Sequence, residues 1–130
     1  MDPSRLAAQA EVIAIVGASP DPSRPSFDVM RALIDRGFEV IPVRPGCESI
    51  LGRRCVSSLA EIQVPIDIVD VFRKSDAAAN VARQAAAVGA RALWLQEGVV
   101  NAEAREIARE AGMDYVEDLC IKKVLPPQKV

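Results

Sequence analysis

Four cations and two hydroxyls carry the chemistry this sequence offers: Arg24, Arg44, Arg73 and Lys74, with Ser19 and Ser26. Ser19, Arg44, Arg73 and Lys74 come just after short apolar runs, where a strand should end and a loop begin, and Arg24 and Ser26 stand where the first such loop meets a helix. Guanidinium and ammonium groups beside hydroxyls and backbone N–H groups suit the holding of a polyanion such as a phosphate. Proton-transfer chemistry is poorly served. The chain has no histidine, which removes Ser-His and Cys-His catalysis, histidine metal sites and phosphohistidine chemistry together. Asp67 and Asp70 make no acid–base pair, because residues three apart in a strand point to opposite faces; Asp70 is expected to cap or pair near the strand end.

The elements that must position these groups are legible from periodicity. Val12 to Val16 is an apolar β-branched strand that reaches Gly17. A loop rich in Ser and Pro follows, and a helical pattern runs from Ser26 to Arg36 with Phe27, Met30, Leu33 and Ile34 on its inner face. That is the strand–turn–helix grammar of a mononucleotide-binding unit, in which turn N–H groups and the positive helix end face an anion. The dinucleotide fingerprint G-x-G-x-x-G is absent, since Gly17 is the only glycine in the stretch. A phosphate loop and an ordinary ligand-free βα loop both fit this segment alone.

The same punctuation recurs. Gly37 suits a left-handed residue after the helix, and strand two (Phe38 to Val43) follows at once. Strand three is Ile66 to Phe72, strand four Ala90 to Gln96 and strand five Met113 to Val116. Helices are expected over Ser75 to Val88 and Asn101 to Ala111, with a short one near residues 3 to 11. Residues 44 to 65 form a looser segment with one short helix opened by a capping box, Ser58-Leu-Ala-Glu61. Pro126 to Val130 reads as a frayed tail. The pattern predicts one α/β domain over residues 1–130: a three-layer, doubly wound, Rossmann-like parallel sheet of five main strands in the order 3-2-1-4-5.

Composition narrows the function class. At 130 residues, half of them hydrophobic and with a net charge of −2, the chain is a globular domain and no general binder of nucleic-acid backbones. No apolar run is long enough to cross a membrane. The opening residues lack a secretory signal, and Cys47, Cys55 and Cys120 lack metal-ligand spacing, so a cytoplasmic protein with reduced thiols is expected. In such folds ligands bind at the carboxyl ends of the strands. Those ends carry Gly17, Ala18 and Ser19; Arg44, Pro45 and Gly46; Arg73 and Lys74; Gln96, Glu97 and Gly98; and Asp118 to Lys122. Enzymes using NAD usually place an acid after strand two to hold the ribose hydroxyls. Arg44 stands there instead, which favours a phosphorylated adenosine ribose, as in CoA or NADP.

The chain resembles the small CoA-binding proteins whose fold is shared with the N-terminal domain of the succinyl-CoA synthetase α subunit. The matching stretches are Ile15-Val-Gly-Ala-Ser19, Arg24-Pro-Ser26, Val40-Ile-Pro-Val43 with Pro45, Leu51-Gly52, Val69-Asp-Val-Phe-Arg73, Leu93-Trp-Leu-Gln96, Gly98-Val-Val-Asn101, and Asp118 with Cys120. The resemblance implies a bound coenzyme A or acyl-CoA. Gly17, Ala18, Ser19 and the helix start would cradle the pyrophosphate, with Arg24, Pro25 and Ser26 beside it. Val43, Arg44 and Pro45 would border the adenosine, and Phe72 and Arg73 would close its other side. Gln96, Gly98, Val99, Cys120, Ile121 and Lys122 would lie along the pantetheine arm. Two positions depart from the family's pattern: Leu119 replaces a common arginine, and Glu97 stands where an apolar or small residue is usual. Trp94 reads as core. The expected partner is a small nucleotide ligand, with a partner protein or a homo-oligomer also open. The alternative function is an enzyme component, NADP-dependent or of CoA-ligase type, that needs a partner subunit. A nucleotide-sensing regulator is a third reading, against which the lack of a DNA-binding helix pair counts.

Overall fold

Two apolar layers, one on each face of a parallel sheet, organise the computed structural model, whose described residues are 1–127. Helix α1 (Pro3–Gln9) opens on Asp2, whose carboxylate accepts from the Arg5 N–H at 3.0 Å. Strand β1 (Val12–Val16), helix α2 (Pro25–Asp35) and strand β2 (Glu39–Val43) follow. A small hairpin comes next, β3 (Ser49–Ile50) and β4 (Arg53–Arg54). Then come β5 (Ile68–Val71), α3 (Ala78–Ala87), β6 (Ala92–Leu95), α4 (Ala102–Ala111) and β7 (Asp114–Val116). Single 3-10 turns cover Leu59–Glu61, Ser75–Ala77 and Ile121–Val124.

Alternation along the buried strands sorts side chains between the layers. Ile13, Ile15, Ile68, Ala92 and Trp94 meet α1, α2 and the turn at Ile121. Ala14, Val16, Val69, Val71, Leu93 and Leu95 meet α3 and α4. The second layer is built on alanine: Ala78, Ala82 and Ala85 of α3 and Ala104 and Ala108 of α4 are fully buried. Small side chains let both helices lie close to the sheet and to each other. Trp94 is core, as its place between leucines predicts, and its indole N–H donates to the Leu119 carbonyl at 2.8 Å.

The Rossmann-like class holds, but the order of the first strands is corrected. The sheet runs β2-β1-β5-β6-β7, so the third main strand pairs with β1 and not outside β2. The chain moves one way through α2 on one face and returns through the other, which reverses the winding between β1 and β5. In doubly wound sheets that reversal opens the ligand crevice.

Two further expectations are corrected. The capping box fails, because Ser58 makes no side-chain cap and Glu61 instead accepts from the Ser57 N–H at 3.1 Å. Asp70 neither caps nor pairs. It sits fully buried between Ile15 and Trp94 in the sheet register, and neither carboxylate oxygen has a hydrogen-bond partner. Desolvation therefore pushes its carboxyl well above the usual range. In the tail, the Pro126 carbonyl accepts from Arg36 at 2.9 Å; the rest of the expected frayed stretch, residues 128–130, lies outside the described residues. Among the described residues no helix is long and apolar enough to cross a membrane.

Candidate functional site

The strand ends are stitched together before any side chain is considered. The Gly17 N–H donates to the Val43 carbonyl at 3.2 Å, and the Phe72 N–H donates to the Val16 carbonyl at 2.8 Å. Gly17 adopts φ +87°, and a Cβ there would stand 2.5 Å from the Phe72 carbonyl oxygen. Only glycine permits both the left-handed conformation and this close crossing.

The loop beyond Gly17 is held by its own polar groups. Ser26 is buried, and its hydroxyl accepts from the Ser19 N–H at 3.0 Å. The Ser19 hydroxyl accepts from the Asp21 N–H at 3.1 Å, and Asp21 accepts from the N–H and hydroxyl of Ser23. These contacts hold the Asp21 carboxyl below the ordinary range, the Ser23 N–H contributing most. Pro25 occupies the first turn of α2, where its missing N–H costs nothing. Across the sheet edge, the Arg44 guanidinium donates to the Ala18 carbonyl at 3.1 Å, tying the loop after β2 to the loop after β1.

These loops surround an open cavity of about 1260 Å³, larger than the ~300–1,000 Å³ typical of small-ligand clefts. Ser19, Arg44 and Arg73 all stand on its wall. Gly17, Arg24, Pro25, Ser26, Val43, Pro45, Phe72, Gln96, Val99 and Cys120 line it too. Four of the expected residues do not. Ala18 and Ile121 are buried behind the wall, and Gly98 donates its N–H to Asp118 at 2.7 Å. Lys122 is not on the wall itself, and its ammonium is taken by the wall residue Asp28 at 2.7 Å. That pairing, more than any other contact, lowers the Asp28 carboxyl.

Electrostatically the cavity is a cationic bay in an acidic chain. Arg24, Arg44, Arg73, Lys74 and Lys123 line it against Asp21, Asp28 and Glu97, while the chain carries a net −2. Glu97 is neutralised by Lys123 at 2.6 Å across the rim, so the family departure at position 97 adds no free anion. The side chains of Arg24, Arg73 and Lys74 form no hydrogen bond or ion pair among the described residues. Cations grouped in a cleft without an ion-paired partner attract a polyanion. Deeper in, Gln96 is buried and its amide oxygen accepts from the Ile121 N–H at 3.3 Å, fixing the turn that carries Cys120.

Sequence reasoning passed over several wall residues. Asn80 and Gln84 come from α3 and Ser57 and Ser58 from the segment after β4. The first two stand one helical turn apart around inward Val81, a polar pair that periodicity could have exposed. Ser58 reads only as a helix cap, and neither serine has a local signal for the cavity, because the β3–β4 hairpin that precedes them was not foreseen. Among the described residues no group of three metal-ligating side chains occurs.

Comparison with known proteins agrees with this geometry. A family model described as a CoA binding domain matches residues 11–126. The uncharacterized protein YneT of Bacillus subtilis (strain 168) is 46% identical over 110 residues, covering 85% of this chain and 82% of that protein. A hypothetical protein from Pyrococcus horikoshii OT3 has the same fold with a TM-score of 0.90 and 35% identity, over 95% of this chain and 89% of that one. The dinucleotide forming acetyl-coenzyme A synthetase 1 of Ca. Korarchaeum cryptofilum, in complex with phosphate and ADP, is similar at a TM-score of 0.75 and 25% identity. That likeness spans 88% of this chain and 26% of the synthetase. The family match runs from β1 through the turn that carries Cys120, across every loop that walls the cavity, and this chain belongs to the CoA binding domain family.

Proposed function

We propose that this protein binds coenzyme A or an acyl-CoA at the carboxyl edge of its sheet and performs no chemistry on it alone. One observation carries the reading: the loops after β1, β2, β5 and β6 wall a single cavity lined by Arg24, Arg73 and Lys74, whose side chains make no hydrogen bond or ion pair among the described residues. The pyrophosphate would lie against the Gly17–Ser19 backbone and the start of α2, beside Arg24. Ser26 would act indirectly, by holding the Ser19 N–H in place. Val43, Arg44 and Pro45 would border the adenosine, with Phe72 and Arg73 opposite. Gln96, Val99 and Cys120 would follow the pantetheine arm. Ala18, Gly98, Ile121 and Lys122 would support these groups from behind.

A second reading makes the chain the CoA half of a ligase-type enzyme with a partner subunit. The likeness to the acetyl-coenzyme A synthetase favours it. Thermal unfolding with CoA, acetyl-CoA, dephospho-CoA, NADP, NAD and ATP tests the binding proposal. A ligand at a hundredfold excess over Kd stabilises by about 2.7 kcal/mol, a shift of several degrees for a domain of this size. CoA should shift the transition more than NADP. A shift with NADP and none with CoA would overturn the reading, and an ATP-binding chain that co-purifies would favour the ligase alternative.

A further inference from the structure

Cys47 and Cys55 close the open end of the β3–β4 hairpin, and the reading above uses neither. Ser49 pairs with Arg54 and Ile50 with Arg53. The Cys55 N–H donates to the Glu48 carbonyl at 2.9 Å, so the ladder ends one residue from Cys47. Both side chains are half-buried against the same apolar cluster beneath α2. The two thiols lie near enough for Cys47 to act on Cys55, and the Cys47 Sγ–H donates to the Ser49 carbonyl at 3.7 Å. Burial first, and Cys47 second, push the Cys55 thiol up to about 12, which suits Cys55 to the second, resolving step of an exchange.

We propose that Cys47 and Cys55 form a thiol–disulfide exchange site that takes small-molecule disulfides and closes to an intramolecular disulfide. Cys47 begins as the attacking thiolate. Its sulfur bonds one sulfur of the small disulfide R–S–S–R, the S–S bond breaks and one RS⁻ leaves. Cys55 then gives up its proton and attacks Cys47 Sγ, the bond from Cys47 to the R–S group breaks, and the second RS⁻ leaves. The two cysteine protons end on the two released RSH molecules. The protein is oxidised by two electrons and the small disulfide is reduced by two.

The position of the pair gives the step a consequence. Val56, next to Cys55, donates its N–H to the Pro42 carbonyl at 3.0 Å and accepts from the Arg44 N–H at 2.8 Å. Local opening of the hairpin would release both bonds and loosen the wall that carries Arg44. A disulfide across the hairpin's open end removes that opening from the accessible states.

The test exposes the full chain to glutathione disulfide, alkylates the remaining thiols and maps the peptides by mass. The expected product links the Cys47 and Cys55 peptides with loss of two hydrogens, is reversed by dithiothreitol, and forms equally in Cys120→Ser. In the oxidised protein the amides of Arg44 and Val56 should exchange hydrogen about tenfold more slowly. The proposal fails if both thiols remain open to alkylation, if only mixed adducts with glutathione appear, or if the cross-linked form exchanges those amides no more slowly. Every readout but the Cys120→Ser control uses the wild-type chain, and none involves a nucleotide.

Discussion

The two ends of this sheet treat charge in opposite ways. At the amino end the charges are spent on one another. Asp67 accepts from the Glu11 and Val12 N–H groups, both at 2.9 Å, and faces Arg91 at 3.7 Å. The terminal amine pairs with Asp114 at 3.3 Å, and the remaining gap of about 30 Å³ has room for little more than a water. At the carboxyl end the same strands open onto about 1260 Å³, where the side chains of Arg24, Arg73 and Lys74 make no hydrogen bond or ion pair among the described residues. A charged group whose partner lies within the chain stabilises the fold. One without a partner adds little to stability and is free to bind a ligand.

The comparison can be broken first at its hinge. Gly17→Ala puts a Cβ against the Phe72 carbonyl in a left-handed conformation and should cost about 3 kcal/mol in a urea titration, with ligand binding lost. Stability within a few tenths of wild type would show that the crossing of β1 and β5 is not tight.

Next comes Asp70, which belongs to neither end. Its carboxyl is raised by burial, so the folded state holds the proton more tightly than the unfolded chain does. The sign follows from linkage: stability is fully present below the unfolded value of 3.8 and falls as pH rises toward the folded value. Asp70→Asn keeps the volume and cannot ionise, so its melting temperature should fall less than that of wild type over that window. Parallel curves would mean that the carboxyl finds a partner in solution.

Arg44→Ala sharpens the carboxyl end. Losing a charged contact to a ribose phosphate should weaken CoA about tenfold to a hundredfold, or roughly 1.5–3 kcal/mol, and dephospho-CoA much less. Equal losses by calorimetry would leave Arg44 only its bond to the Ala18 carbonyl. The smallest effect is expected at the amino end. Asp67→Ala strips two backbone N–H groups of their acceptor and should cost about 1–2 kcal/mol while ligand affinity stays unchanged. A change in affinity there would mean that the two ends are coupled.

Much of the site was legible because it is local. Gly17, Ser19, Arg44 and Arg73 follow directly on strands, and a parallel sheet gathers strand ends whatever their order. The residues read less well are those whose role depends on a distant neighbour. Lys122 looked available on its own turn, yet Asp28 of α2 takes it. Ser26 reads as a hydroxyl on the cavity wall, and only the fold adds that it accepts from the Ser19 N–H. Glu97 looked like an intruding anion until Lys123 was found beside it.

Periodicity and punctuation alone determined the alternation of strand and helix, the buried face of each helix and the edge on which the polar residues gather, because these depend on side chains a few positions apart. Only the tertiary structure decided on which side of β1 the third main strand docks, that residues 47–56 fold back as a hairpin bracing Arg44, and that Asp70 lies unpartnered in the core. Each of those outcomes turns on contacts between segments tens of residues apart. Right-handed crossover permits either placement of the strand, so the choice rests with long-range packing, to which local propensity is blind.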